Sequence, residues 1–115
     1  MSHDKASMHD IIESFELAMR YLGGRTAQEL GADSEKLDAI IRRIEIIGEA
    51  TKRLTRAFCD AHPQVPWREM AGMRDRVIHA YDRVDVHQVH AAVSARMPEL
   101  IDELRRLRET LPDPE

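Results

Sequence analysis

The chain is short of the residues from which several kinds of site are built. It has one cysteine, Cys59, among 115 residues. A single thiol closes no intramolecular disulfide, and such sparing use fits a reducing compartment. Aromatic residues make up 4% of the chain, namely two tyrosines, two phenylalanines and one tryptophan. That is too few for the stacking platform on which single-strand binders lay successive bases. Positive charge is not in excess, since the formal net charge is −4. A broad basic footprint for duplex nucleic acid is therefore excluded, but a small site that grips one phosphate needs only two or three local cations. No run approaches the ~18 apolar residues required to span a bilayer, and the opening MSHDKASMHD has no apolar signal core. The expectation is a cytoplasmic protein without membrane contact.

What is present is a soluble globular balance, with 43% apolar and 33% charged residues. The length suits one domain, 1–115, with an ordered core over about 8–108. No internal repeat or low-complexity tract occurs, and nothing reads as a strand. Apolar residues recur instead at helical spacing almost everywhere. Met8, Ile11, Ile12, Phe15, Ala18, Met19 and Leu22 mark a first helix from about Asp4 to Leu22, ended by Gly23-Gly24. Thr26 and Glu29 have capping-box spacing and open a short helical turn. Asp33 or Ser34 starts a long helix reaching about Ala61, with a stripe of Leu37, Ile40, Ile41, Ile44, Ile47, Thr51, Leu54 and Phe58. Gly48 lies on that stripe, where a missing side chain admits a close neighbour. Ile46 lies on the other side, either as a lone surface residue or as a contact with a second subunit.

HPQVP forms a connector, and a motif helix follows from Trp67 to about Tyr81. Asp85 and Gln88 repeat the capping spacing before a last helix, Val86 to about Leu111, in which Pro98 should cause a kink. The tail PDPE should fray. Four to five helices with one apolar face each and short connections give an all-α antiparallel bundle.

The motif helix poses a question. At ~100° per residue, Trp67, Met70, Ala71, Met73, Val77, Ile78 and Tyr81 share an arc, and Arg74 falls near its centre. An unpaired buried guanidinium costs several kcal/mol. Arg74 should therefore either pair with a carboxylate such as Glu49 or face a cleft where it meets an anionic ligand. A histidine side chain can take or give a proton at cellular pH, so His79 is a candidate for proton transfer, although a histidine at a helix end is often no catalyst. Arginine plus histidine, without metal, suffices for one reaction in particular, the cleavage of RNA. There the substrate's own 2′-hydroxyl is the nucleophile, and the protein needs only to move protons and stabilise charge on phosphorus. Positions 74 and 79 are about 140° apart on a straight helix. They reach one phosphate only if the helix ends or bends near His79, or if two subunits combine their motifs. Tyr81 is within about 20° of Arg74 on such a helix, and could equally be a core tyrosine with its hydroxyl at the surface.

Arg74, four residues, His79, one residue and Tyr81 resemble the R-x4-H-x-Y signature of HepT-like toxins in the HEPN superfamily. RRIEIIGEATKRL resembles that family's long-helix signature, HPQVPW and MAGMRDRVIHAYDRVD its connector and active-site block, and MPELIDEL its last helix. The resemblance spans about residues 8–108. It implies a HEPN-like homodimer with a composite cleft, acting as a metal-independent endoribonuclease in a toxin–antitoxin pair, with no cofactor. It implies that Arg74 binds the scissile phosphate, that His79 transfers protons and that Tyr81 is the regulated residue. An MntA-type nucleotidyltransferase antitoxin would transfer AMP to that tyrosine. The residue after the arginine, often asparagine in the family, is here Asp75; it could orient His79, pair with Arg76 or repel RNA. Arg68, Arg74, Arg76 and Arg83 exceed Glu69, Asp75 and Asp82 by one charge, so RNA affinity should be modest.

Two rivals stand beside this. The chain could be a non-catalytic helical subunit of a nucleotidyltransferase complex, with Arg74 in the interface. Alternatively, His87 and His90, at i and i+3, have metal-ligand spacing, but no H-E-x-x-H pattern or cysteine pair accompanies them. No metal site is expected.

Overall fold

The computed structural model describes residues 3–113. Helix α1 (Asp4–Leu22) buries Met8, Ile11, Ile12, Phe15, Ala18 and Leu22, and Gly23 follows with φ 57°. The expected capping box opens α2 (Ala27–Gly31): Glu29 N donates to Thr26 Oγ1 at 3.1 Å and Thr26 N donates to Glu29 Oε1 at 3.0 Å. Asp33 caps α3 (Ser34–Arg53), its Oδ1 accepting from Lys36 N at 3.1 Å. Helix α3 buries Ile40, Ile41, Ile44 and Ile47 and packs against α1. The two run antiparallel, since Asp10 near the start of α1 pairs at 3.2 Å with Arg53 at the end of α3. Full burial of each of these side chains stabilises the fold by roughly 1.5–3 kcal/mol before entropy is counted.

The long helix expected to reach Ala61 is in fact two. Helix α3 stops at Arg53, Leu54 is extended (φ −63°, ψ 142°), and Thr55 caps α4 (Arg56–Ala61) by accepting from Phe58 N at 3.2 Å. A residue 51 positions before Thr55 spans the gap. The carboxylate of buried Asp4 accepts from Thr55 N at 2.8 Å and from Thr55 Oγ1 at 2.7 Å. No periodicity in the sequence announces such a long-range clasp.

The connector is fixed by Trp67, whose Nε1 donates to His62 O at 2.9 Å. The motif helix is also broken. It consists of α5 (Trp67–Ala71) and α6 (Met73–Val77), hinged at Gly72. A small antiparallel hairpin follows, β1 (Ile78–His79) with β2 (Arg83–Val84), where only helix was expected. Helix α7 (Val86–Ala91) leads through a π turn over Ala92–Arg96 into α8 (Met97–Glu109). The irregularity expected at Pro98 takes this form. A proline in a helix lacks a donor and crowds the carbonyl four residues back, and the widened turn lies just before it. Helix α8 runs antiparallel to α1, tied by Arg105–Glu16 at 3.2 Å and Lys5–Asp113 at 2.7 Å. Asp113 is thus anchored, while the last two residues of the PDPE tail lie outside the described residues. The architecture is the expected all-α bundle. Among the described residues no helix is long and apolar enough to cross a membrane.

Candidate active site

The site is built where α5 lies against α3. A Cβ added at Gly48 would stand 3.2 Å from Ala71 O, so the missing side chain lets the end of α5 sit directly on α3, as the sequence suggested. The helix breaks at that point. Gly72 N donates to Arg68 O and Asp75 N donates to Gly72 O, both at 3.1 Å, closing one short helix and starting the next. The restart buries Met73 and Val77, four residues apart on one face, and moves Arg74 off it.

Arg74 is therefore not in the buried arc: its side chain is 46% exposed. It lines a groove of about 200 Å³ together with Glu45, Gly48, Glu49, Lys52, Ala71 and Asp75. The carboxylate that meets its guanidinium is Asp75, at 3.7 Å, rather than Glu49 on the groove wall. Asp75 thus pairs neither with Arg76 nor with His79. Arg76 lines a different hollow with Glu69, Met73, Gln88 and Arg96. There Arg96 grips Glu69 through two hydrogen bonds, at 2.6 and 3.0 Å, which hold that carboxyl below its usual range. The two supporting residues expected beside Arg74 and His79 consequently face different surroundings, and only Asp75 shares the arginine's groove.

Beyond Val77 the chain leaves the helix. Ile78 pairs with Val84 and His79 with Arg83, and Asp85 N closes the hairpin by donating to Val77 O at 2.7 Å. This releases His79 from the 140° separation that a straight helix would impose. The imidazole is half exposed, with Nε2 3.4 Å from Asp85 Oδ2. The other carboxylate oxygen of Asp85 caps α7 by accepting from Gln88 N at 3.1 Å. Both contacts, the cap first and His79 second, lower the Asp85 pKa. Sequence reading assigned Asp85 the cap alone. The missing signal was the hairpin, which folds a residue six positions on back against His79.

Tyr81 stands at the hairpin tip and is 98% exposed. It is neither in the core nor on a helix face shared with Arg74. Its backbone is left-handed, with φ 62° and ψ 29°, the one positive φ outside glycine among the described residues. That conformation costs an L-residue roughly 1–2 kcal/mol, so the closed hairpin around it must hold it there. Of the two histidines with metal-like spacing, His90 is otherwise engaged, with Nε2 2.9 Å from Arg25 O. No group of three histidine, cysteine or acidic residues among the described residues could hold an ion.

A helical bundle with an exposed arginine in a short helix and a histidine just beyond that helix is of the HEPN kind. The family described as "Ribonuclease HepT-like" matches residues 11–107. A probable ribonuclease HepT of Thermococcus cleftensis is 39% identical over 104 residues, 90% of this chain and 94% of that protein. A putative RNase of Methanocaldococcus jannaschii is 33% identical over 103 residues, covering 90% of this chain and 85% of the relative. A second protein of that organism, named a gamma-glutamylcyclotransferase and putative RNase, is 37% identical over 93% of this chain, which spans 48% of it. No solved structure matches at comparable significance. The chain belongs to the HepT-like ribonuclease family.

Proposed function

We propose that this chain is a metal-independent endoribonuclease, the toxin of a toxin–antitoxin pair, working as a homodimer. The observation that carries the reading is the placement of Arg74, half exposed on a groove wall instead of sealed in an ion pair with Glu49. A guanidinium so placed can meet a phosphate, and its fork geometry suits two phosphate oxygens. His79, outside the helix and backed by a carboxylate, takes the proton from the 2′-hydroxyl. The 2′-oxygen bonds to phosphorus, the bond from phosphorus to the 5′-oxygen breaks, and an imidazolium at the cleft protonates that leaving oxygen. The products are a 2′,3′-cyclic phosphate and a 5′-hydroxyl. Dimerisation would combine two such motifs, and half-buried Ile46 on α3 is a candidate contact.

Tyr81 suits the regulated role. Its exposure at a hairpin tip makes it reachable by another protein, and a nucleotidyltransferase antitoxin would place AMP on its hydroxyl. The added bulk and negative charge, two residues from His79, would repel RNA by the same physics as a phosphoryl group.

The test is cleavage of total RNA in EDTA by purified chain whose mass shows no added AMP, beside Arg74→Ala and His79→Ala. Cleavage by the wild type and a loss of about 10²-fold or more in each variant support the reading. Equal inertness of all three would favour a non-catalytic subunit of a nucleotidyltransferase complex. Wild-type cleavage that stops in EDTA would overturn metal independence.

A further inference from the structure

The hairpin gives Asp85 three connections at once. Its backbone N–H donates to Val77 O, its Oδ1 caps α7 through Gln88 N, and its Oδ2 faces His79 Nε2. We infer that Asp85 is the positioning residue of the site: its carboxylate fixes His79 with the proton on Nε2 and leaves Nδ1 as the atom that exchanges protons with RNA. This rests on the ribonuclease reading above.

Which imidazole nitrogen carries the proton is set by the hydrogen-bond partners of the ring. A carboxylate only accepts, so the nitrogen beside Asp85 Oδ2 must be N–H. Nδ1 then keeps its lone pair, takes the 2′-hydroxyl proton and becomes part of an imidazolium that the adjacent carboxylate stabilises. The carboxylate is itself held ready. The cap occupies one oxygen, the hairpin closure fixes the backbone, and the other oxygen is left for the ring. Arg83, across the ladder from His79, is an opposing cation, and His87 in the first turn of α7 is a second group whose charge acts on Asp85. Neither offers an acceptor in place of the Asp85 carboxylate when charged.

Asp85→Asn tests this with little risk to folding, because asparagine caps a helix as well as aspartate does. The cap also decides how the amide sits. Its oxygen must accept from Gln88 N, so its NH₂ faces the ring and requires an acceptor there. The His79 proton should move to Nδ1, and the working nitrogen should lose its lone pair. Asp85→Ser keeps a cap but presents nothing to the ring. Ring ¹⁵N spectra, with His79 assigned by its absence in His79→Gln, should show Nε2–H in wild type and Nδ1–H in Asp85→Asn. Cleavage should fall roughly ten- to a hundredfold in Asp85→Asn, within the ~10²–10⁴-fold that acid–base catalysis supplies, and less in Asp85→Ser. An unchanged tautomer together with unchanged cleavage in Asp85→Asn overturns the inference, as does lost cleavage with the tautomer unmoved. If unmodified wild type does not cut RNA, the ribonuclease reading falls and the catalytic role of Asp85 with it; the ring spectra then decide separately whether the pairing itself exists.

Discussion

The contact of α1 with α3 and the segment from Gly72 to Asp85 follow opposite rules. In the first, Met8, Ile11, Ile12, Phe15, Ile40, Ile44 and Ile47 are wholly buried along two long uninterrupted helices. In the second, fourteen consecutive positions contain a helix break, a five-residue helix, a two-residue ladder and a tyrosine in the left-handed region. The first region is held by many interchangeable contacts. The second is held by a few backbone closures, and its polar side chains stay available to solvent. The lesson is that local irregularity here is what turns Arg74 off the buried face and carries His79 out of the helix, leaving both side chains about half exposed.

Substitutions should separate the two regions. The largest effect on stability is expected in the first. Phe15→Ala should cost about 3–5 kcal/mol, read by urea denaturation, with the chemistry of any surviving folded protein unchanged. Arg74→Ala should do the reverse, lowering cleavage by about 10²-fold or more while leaving the urea midpoint nearly unmoved, since the side chain is half exposed. A large loss of stability there would erase the contrast.

Intermediate effects fall where the regions meet. Asp4→Ala leaves Thr55 N–H without its acceptor and should cost about 1–3 kcal/mol, with α4 exchanging its amide hydrogens faster than α3. Gly48→Ala puts a methyl group 3.2 Å from Ala71 O. It should cost about 1–3 kcal/mol and also depress cleavage, because the backbone it pushes leads straight into Gly72 and Arg74. The smallest effect is expected at the hairpin tip, where Tyr81→Gly relieves the left-handed strain and should gain at most about 1 kcal/mol. A loss of stability there would mean that the ring makes a contact its exposure denies.

The first region was legible in the sequence because its pattern is local: stripe, cap and glycine stop are written within one helix each. The capping box at Thr26 and Glu29, the close approach at Gly48 and the disturbance near Pro98 were legible for the same reason. The break at Leu54 was not, because the residue that stabilises it is Asp4. The candidate site was legible as residues but not as geometry. Continuing the helical period through Gly72 put Arg74 on the apolar arc of one helix and Tyr81 on the same face. A glycine there hinges the helix, and the two-residue ladder after Val77 is too short to alternate visibly. Asp85 beside His79 was hidden by that same unread hairpin.

The most direct measurement is on the cut ends. The central claim is that the protein moves protons and steadies charge while the RNA supplies the nucleophile. An oligonucleotide with a mapped cleavage position would be offered to the unmodified chain in two forms, all-ribose and with a single 2′-deoxy sugar at that position. The expected result is a 2′,3′-cyclic phosphate and a 5′-hydroxyl from the first and no cut at that position in the second. Cleavage of the deoxy substrate at the same bond, or ends carrying a 5′-phosphate, would mean that water is the nucleophile and would contradict the roles given to Arg74 and His79.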